Sequence, residues 1–303
     1  MRIVPTFICA FALLAASAAL GPHGALRSLD GAESYVLVVG RAYLGSGPTP
    51  EVGSVAIVVR DGTITAVERD LSKVPSDLPR IEHPDAYLTP GLIAAASDLP
   101  GSHQGSESIA AGFRALDGFD RYGDYRSWLA RGVTTAHLSP GEHRMLSGEG
   151  AIVKLAGAPS ERVVRELADL CLQLGDDADG PPPLIEFPFP PSSDVAIRPA
   201  ELQRPRSRLG RLLGLEEELA RSLAGDATGN IHRRALGKAW SEQRPLRISA
   251  DRATDILAAI SFLRANDRTG VLVGGAETER VAQAVGASGI PLIFRPRFSP
   301  QGS

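Results

Sequence analysis

From Tyr35 onward the chain alternates short apolar runs with polar breaks. Tyr35–Tyr43 is rich in β-formers, Ser54–Val59 alternates, and Asp61-Gly62 turns the chain into Thr63–Glu68, which predicts a hairpin. A further short strand over Ala86–Leu88 leads into Thr89-Pro90-Gly91. Beyond it, strand-like runs fall at Leu92–Ala96, Val133–Leu138, Ala151–Leu155, Leu184–Phe187, Leu246–Ser249, Gly270–Val273 and Pro291–Phe294. Helical patterns interleave with them at Tyr125–Ala130, Ser160–Leu174, Leu209–Leu223, Ala250–Asn266 and Glu277–Val285. Such alternation predicts an α/β chain with a parallel sheet and crossover helices. The proline-rich stretch Gly180–Pro205 reads as an extended surface excursion within that domain.

With 303 residues, 43% of them hydrophobic, and a formal net charge of -3, the chain has the profile of a soluble protein of one or two domains. No strong field is available to steer nucleic acid or an anionic membrane, and neither is expected as a partner. The N-terminus changes the picture more. Met1-Arg2 precedes an apolar run from Ile3 to Leu20, with Ala16-Ser17-Ala18 as a cleavage signal, so residues 1–18 are expected to be a signal peptide. The mature protein is then exported, periplasmic or secreted, with no stable membrane insertion. Loss of Cys9 with that segment leaves Cys171 alone, which excludes an intramolecular disulfide. Cys171 follows the apolar spacing of Val163, Val164, Leu167, Leu170 and Leu174, so it is expected to be a buried structural thiol on a helix.

The Asp61-Gly62-Thr63-Ile64 hairpin followed by Pro90-Gly91-Leu92-Ile93 resembles the entry to the amidohydrolase superfamily, in its imidazolonepropionase-like branch. Gly132-Val133-Thr134-Thr135, Ser147-Gly148-Glu149-Gly150-Ala151-Ile152-Val153-Lys154-Leu155 and Pro245-Leu246-Arg247-Ile248 support the resemblance in order and spacing. It implies a small β-sandwich portion over 19–90 and a TIM-like (β/α) barrel over 91–303. It also implies metal ligands at the carboxyl ends of barrel strands. The family's His-x-His pair falls here on Ala96 and Asp98, a later histidine on Ser249, and the next on Gly274 or Gly275. Alanine and glycine offer no side-chain donor, and serine is a poor zinc ligand. The chain stops at Ser303 before the last barrel strands and the strands that would complete the sandwich, so the barrel is expected to be incomplete. A truncated chain, a split gene or a rearranged smaller fold would each account for that, and a homo- or hetero-oligomer could complete the barrel.

By lineage the reaction is hydrolysis of a carbon-nitrogen bond by metal-activated water. With most ligand positions changed, the leading expectation is a non-catalytic binding or scaffold protein without a cofactor, or the partner of a catalytic paralogue. The alternative is an active hydrolase with a remodelled site of Asp98, His137 and Asp251, with His103 or His143 nearby, holding a divalent metal such as zinc. His137 earns its place because it stands near the end of a predicted strand. On the plainer reading Asp251 caps the following helix, and His23, His83 and His232 lie on the surface. Glu149 and Glu186 are weaker candidates as general bases, and Lys154 as a carbamylated metal bridge.

Overall fold

The computed structural model describes residues 34–45, 51–97, 99, 107–175, 178, 205, 207–225 and 228–295. The expected signal peptide and most of the proline-rich excursion lie outside these residues, as do His23, Asp98, His103 and Glu186. The chain divides into two compact units. One holds the described residues up to Ala94 with Tyr122–Ala136 and Lys154–Arg162, and the other holds Ala95–Arg121, His137–Val153 and the described residues from Val163 onward.

The first unit contains a four-stranded sheet built from β1 (Tyr35–Ala42), β2 (Glu51–Arg60), β3 (Thr63–Glu68) and β4 (Arg80–Leu88), in the order β3-β2-β1-β4. The expected hairpin is β2 and β3, and its turn uses Asp61 at φ 49 and Gly62 at φ 71, the left-handed pair a tight two-residue connection needs. Both faces of β1 are buried: Tyr35, Leu37 and Val39 pack with Val55, Ile57 and Val59, while Val36 and Val38 pack with Ala56 and Val58. That explains a continuous apolar run where a one-sided strand would alternate. Among the described residues β1 to β4 form one sheet, not the two faces of a sandwich. The edge strand β4 starts earlier than its apolar content suggested. It pairs in parallel with β1, and it places His83 in a strand.

The second sheet has the order β11-β10-β9-β8-β7-β6-β5. Its strands are β5 (Leu92–Ser97), β6 (Val133–Leu138), β7 (Leu146–Lys154), β8 (Val163–Gln173), β9 (Leu246–Ala250), β10 (Gly270–Gly274) and β11 (Leu292–Phe294). β8 through β11 run parallel, but β7 is antiparallel to β8. The helices are α1 (Arg126–Leu129), α2 (Arg208–Leu223), α3 (Ile231–Ser241), α4 (Ala253–Ala265) and α5 (Ala282–Ser288). Leu215 and Leu219 of α2, Leu236 of α3, and Ile256, Ile260 and Leu263 of α4 pack onto Leu170, Leu172, Leu246, Ile248 and Leu272 of the sheet. Helix α3 was not anticipated, because Arg233, Arg234 and Lys238 mask its sparse apolar face. Its one local signal is Asn230, whose side chain accepts the Arg233 amide as an N-cap.

One element differs in kind from expectation. Ser160–Leu174 was expected to be a helix, and it contains the longest strand, β8. The i, i+3, i+4 spacing of its valines and leucines is real, but residues 168–174 are buried without a break. A strand paired on both sides satisfies every backbone group of such a run, and tertiary pairing overrides a weak local period.

The second sheet is barrel-like. Arg247 of β9 donates through Nη2 to the Ala95 carbonyl of β5. The two strands are four places apart in the order, which on a flat sheet would be about 19 Å. One side chain spans them only because the sheet curls. No helix among the described residues is long and apolar enough to cross a membrane.

In the first sheet the pairing of β1 with β4 shifts register between Val39 and Arg41, around Gly40. A Cβ at Gly40 would lie 1.8 Å from the Pro84 carbonyl oxygen, a backbone atom that cannot swing away. Gly40→Ala is therefore expected to cost more than about 2 kcal/mol, read as a lower urea midpoint.

Candidate functional site

The residues facing away from the helices form a polar row. Along β8, Leu170 and Leu172 join the helix-side core, and the alternate positions are Asp169, Cys171 and Gln173, all buried. Cys171 is in register with Arg247, and Gln173 with Ser249, so the row continues on β9. Period-two alternation puts these side chains on the face opposite the leucines. Buried polar groups must find partners there, and most do.

The centre of the row is a contact across a strand. His137 of β6 places Nε2 at 2.9 and 3.0 Å from the two carboxylate oxygens of Asp169 on β8. Between them runs β7, and the residue beneath the contact is Gly150, in register with Asp169. A Cβ at Gly150 would lie 2.2 Å from Asp169 Oδ1 and 2.7 Å from His137 Nε2. No side chain larger than hydrogen fits there while the pair is formed. The Ser97 hydroxyl donates to the His137 carbonyl at 2.7 Å and fixes the end of β6. His137 Nδ1 is buried without a protein partner.

Cys171 joins the pair. Its Sγ lies 3.5 Å from Asp169 Oδ1, and one ligand atom from each of His137, Asp169 and Cys171 lies within 4.8 Å of the other two. Burial pushes the Cys171 thiol well up, the Asp169 charge adds to this, and the Arg247 guanidinium opposes it. The thiol contacts the acid, not the imidazole, so the three do not form a relay in which histidine activates cysteine. The expectation of a buried thiol holds for Cys171, although its element is a strand.

The positions where the family resemblance implies ligands are occupied differently. Ala96 is exposed on β5 and carries no donor. The Ser249 hydroxyl is 3.2 Å from Glu142 Oε1, and Glu142 receives both Arg295 guanidinium nitrogens at 2.7 Å. An ion pair thus stands at the carboxyl ends of the strands. Gly274 and Gly275 have φ of 106 and 79, and a Cβ at Gly274 would lie 2.6 Å from Asp251 Oδ1. A histidine at either position would be strained, and these residues do not fit the family's metal.

Asp251 accepts the Ala276 amide at 3.2 Å, so it braces the turn after β10. The first turn of α4 is served by Glu277, whose Oε2 accepts the Ala253 amide at 2.9 Å. Asp251 is not in the His137 group, and His143 stands apart from it with Nδ1 buried and unpartnered. His232, expected on the surface, is half-buried in α3, stacks on Phe113 and accepts the Gly112 amide at 3.1 Å. Glu149 is buried against Arg244, and Arg244 also contacts Glu242 at 2.5 Å. That arrangement occupies Glu149 as a structural ion-pair member. Lys154 ends β7 half-buried. Arg208 is tied to Asp255. Apart from this row, an open cavity of about 530 Å3 borders Glu107, Ile109, Glu218, His232 and Arg233.

Asp169 and Arg247 are the site residues that sequence reasoning missed. The signal was the alternation of Asp169, Cys171 and Gln173 with Leu170, Leu172 and Leu174, which the helical reading of the segment concealed.

No protein-family model matches the chain, and no curated protein matches it. Among solved structures, an amidohydrolase from Thermotoga maritima MSB8 is similar with a TM-score of 0.68 and 18% identity, covering 86% of this chain and 70% of that chain. At that identity the likeness establishes a shared fold.

Gly150→Ala should lower stability by about 1–3 kcal/mol through overpacking. In a double-mutant cycle the same substitution should cost less on an Asp169→Ala background, where half of the clash is gone. For Glu149, burial raises the carboxyl above its ordinary range, outweighing the opposing pull of Arg244. A raised carboxyl means the folded state holds the proton more tightly, so this contribution is complete below the unfolded pKa and fades as pH rises through the folded one. Urea midpoints between about pH 4 and pH 7 should show that decline in the wild type and lack it in Glu149→Gln.

Proposed function

We propose that this is an exported protein of amidohydrolase lineage, close to the imidazolonepropionase-like branch, that keeps the fold without the metal hydrolysis. It acts as a binding or scaffold protein, in an assembly with its own copies or with a catalytic paralogue. The observation that carries this reading is the chemistry at the strand ends. Where metal-activated water would need several histidine or carboxylate ligands, there is a serine held by the Glu142–Arg295 pair and a glycine pair in left-handed backbone. These are replacements on separate strands, each with its own local stabilisation, so one reversion would not rebuild a centre. The likeness to the Thermotoga amidohydrolase supports the lineage, and the apolar N-terminal segment with Ala16-Ser17-Ala18 supports export.

The test is turnover. Mature protein supplemented with zinc or manganese should hydrolyse simple amides, cyclic amides and ureides no faster than the metal ion alone, and should sediment as an assembly larger than one chain. Asp251→Asn should leave its metal content unchanged. Turnover that disappears in Asp251→Asn would instead establish the remodelled hydrolase of Asp98, His137 and Asp251.

A further inference from the structure

We infer that His137, Asp169 and Cys171 form a buried zinc site that clasps β6 to β8 across Gly150 of β7. It is separate from the strand-end positions discussed above, and it does not depend on the proposed loss of hydrolysis.

Geometry is the first support. In tetrahedral zinc sites, bonds of about 2.0 Å to nitrogen and oxygen and about 2.3 Å to sulfur place the ligand atoms about 3.3–3.5 Å apart. Asp169 Oδ1 is 3.5 Å from Cys171 Sγ, and His137 Nε2 is 2.9–3.0 Å from the Asp169 oxygens. The third pair, His137 and Cys171, has its ligand atoms within 4.8 Å of each other. All three side chains are on rigid strands and buried, so they need little ordering to bind.

The donor set is the second support. Thiolate, imidazole and carboxylate together suit zinc, whereas magnesium and calcium prefer all-oxygen sites. In the metal-free arrangement the cluster is poorly satisfied. His137 can donate one Nε2 proton to two nearly equidistant oxygens, its Nδ1 has no partner, and the Cys171 sulfur meets Asp169 only at 3.5 Å. Zinc would be held by Nε2, by one Asp169 oxygen and by Cys171 as thiolate, its thiol proton passing to solvent, with the imidazole proton on Nδ1.

The third support is Gly150. Any larger residue would hold His137 and Asp169 apart, and the strand that separates them carries hydrogen at the one place where that matters.

The experiment is a cobalt(II) titration of metal-stripped protein, followed by zinc competition. The wild type should bind one cobalt per chain and develop a thiolate-to-cobalt charge-transfer band, and zinc should displace it. The band should vanish in Cys171→Ala, affinity should fall at least about 100-fold in Asp169→Asn, more than an outer-shell partner usually costs, and Asp251→Asn should change neither. Folded wild-type protein that shows no such band would overturn the inference without touching the proposed function. A band that survives in Cys171→Ala would also overturn it. Cobalt bound without the band and lost in Asp251→Asn would overturn both.

Discussion

Burying polar side chains on the inner face of a curled sheet is costly unless each finds a partner, and this protein meets that constraint by letting side chains reach across strands. His137 and Asp169 belong to strands that are not neighbours, and they touch only because β7 carries Gly150 between them. Arg247 spans the curl from β9 to the Ala95 carbonyl on β5. The first contact needs one position to be small, and the second needs the sheet to be curved. The leucines of β8 and β9 face the helices on the opposite side, so the same alternation that builds the apolar core delivers the polar row.

The strand ends follow the same logic with a different outcome. Glu142 and Arg295 meet in a bidentate pair beside Ser249, and Gly274 leaves room for the Asp251 carboxylate. Bidentate pairing fixes orientation as well as charge, so the chain segments after β6 and β11 are held by an ion pair beside Ser249. A fold of this kind accommodates varied strand-end chemistry because strand-end loops can vary without disturbing the packed layer beneath them. Fold and chemistry are therefore separable here, and the similarity to a hydrolase speaks for the first.

Much of the architecture was legible in the residues. Asp61-Gly62 marked its hairpin, Leu92, Val133, Leu246 and Gly270 each opened a real strand, and the leucines of α2 marked its buried face. What escaped was set by tertiary pairing. The β8 segment carries both a helical period and a two-residue period, and only its neighbours on both sides decide between them. Because that element was misread, Asp169 went unnoticed and Cys171 was placed on the wrong kind of element, though its burial was anticipated. His137 was singled out for its place at a strand end. Its partner could not be found by spacing, since the contact skips a strand and depends on a glycine whose role is to be absent. Glu149 looked like a free acid because nothing local hints at Arg244, which is distant in sequence.

The central claim is that the interior row over Gly150, and not the strand ends, is where this protein holds a metal. A crystal structure of zinc-loaded protein with anomalous data collected on either side of the zinc edge tests it most directly. The account predicts one strong peak bounded by His137, Asp169 and Cys171, with the Glu142–Arg295 pair intact. A peak at the strand ends beside Ser249 and Asp251, with His137 and Asp169 still hydrogen-bonded to each other, would contradict it.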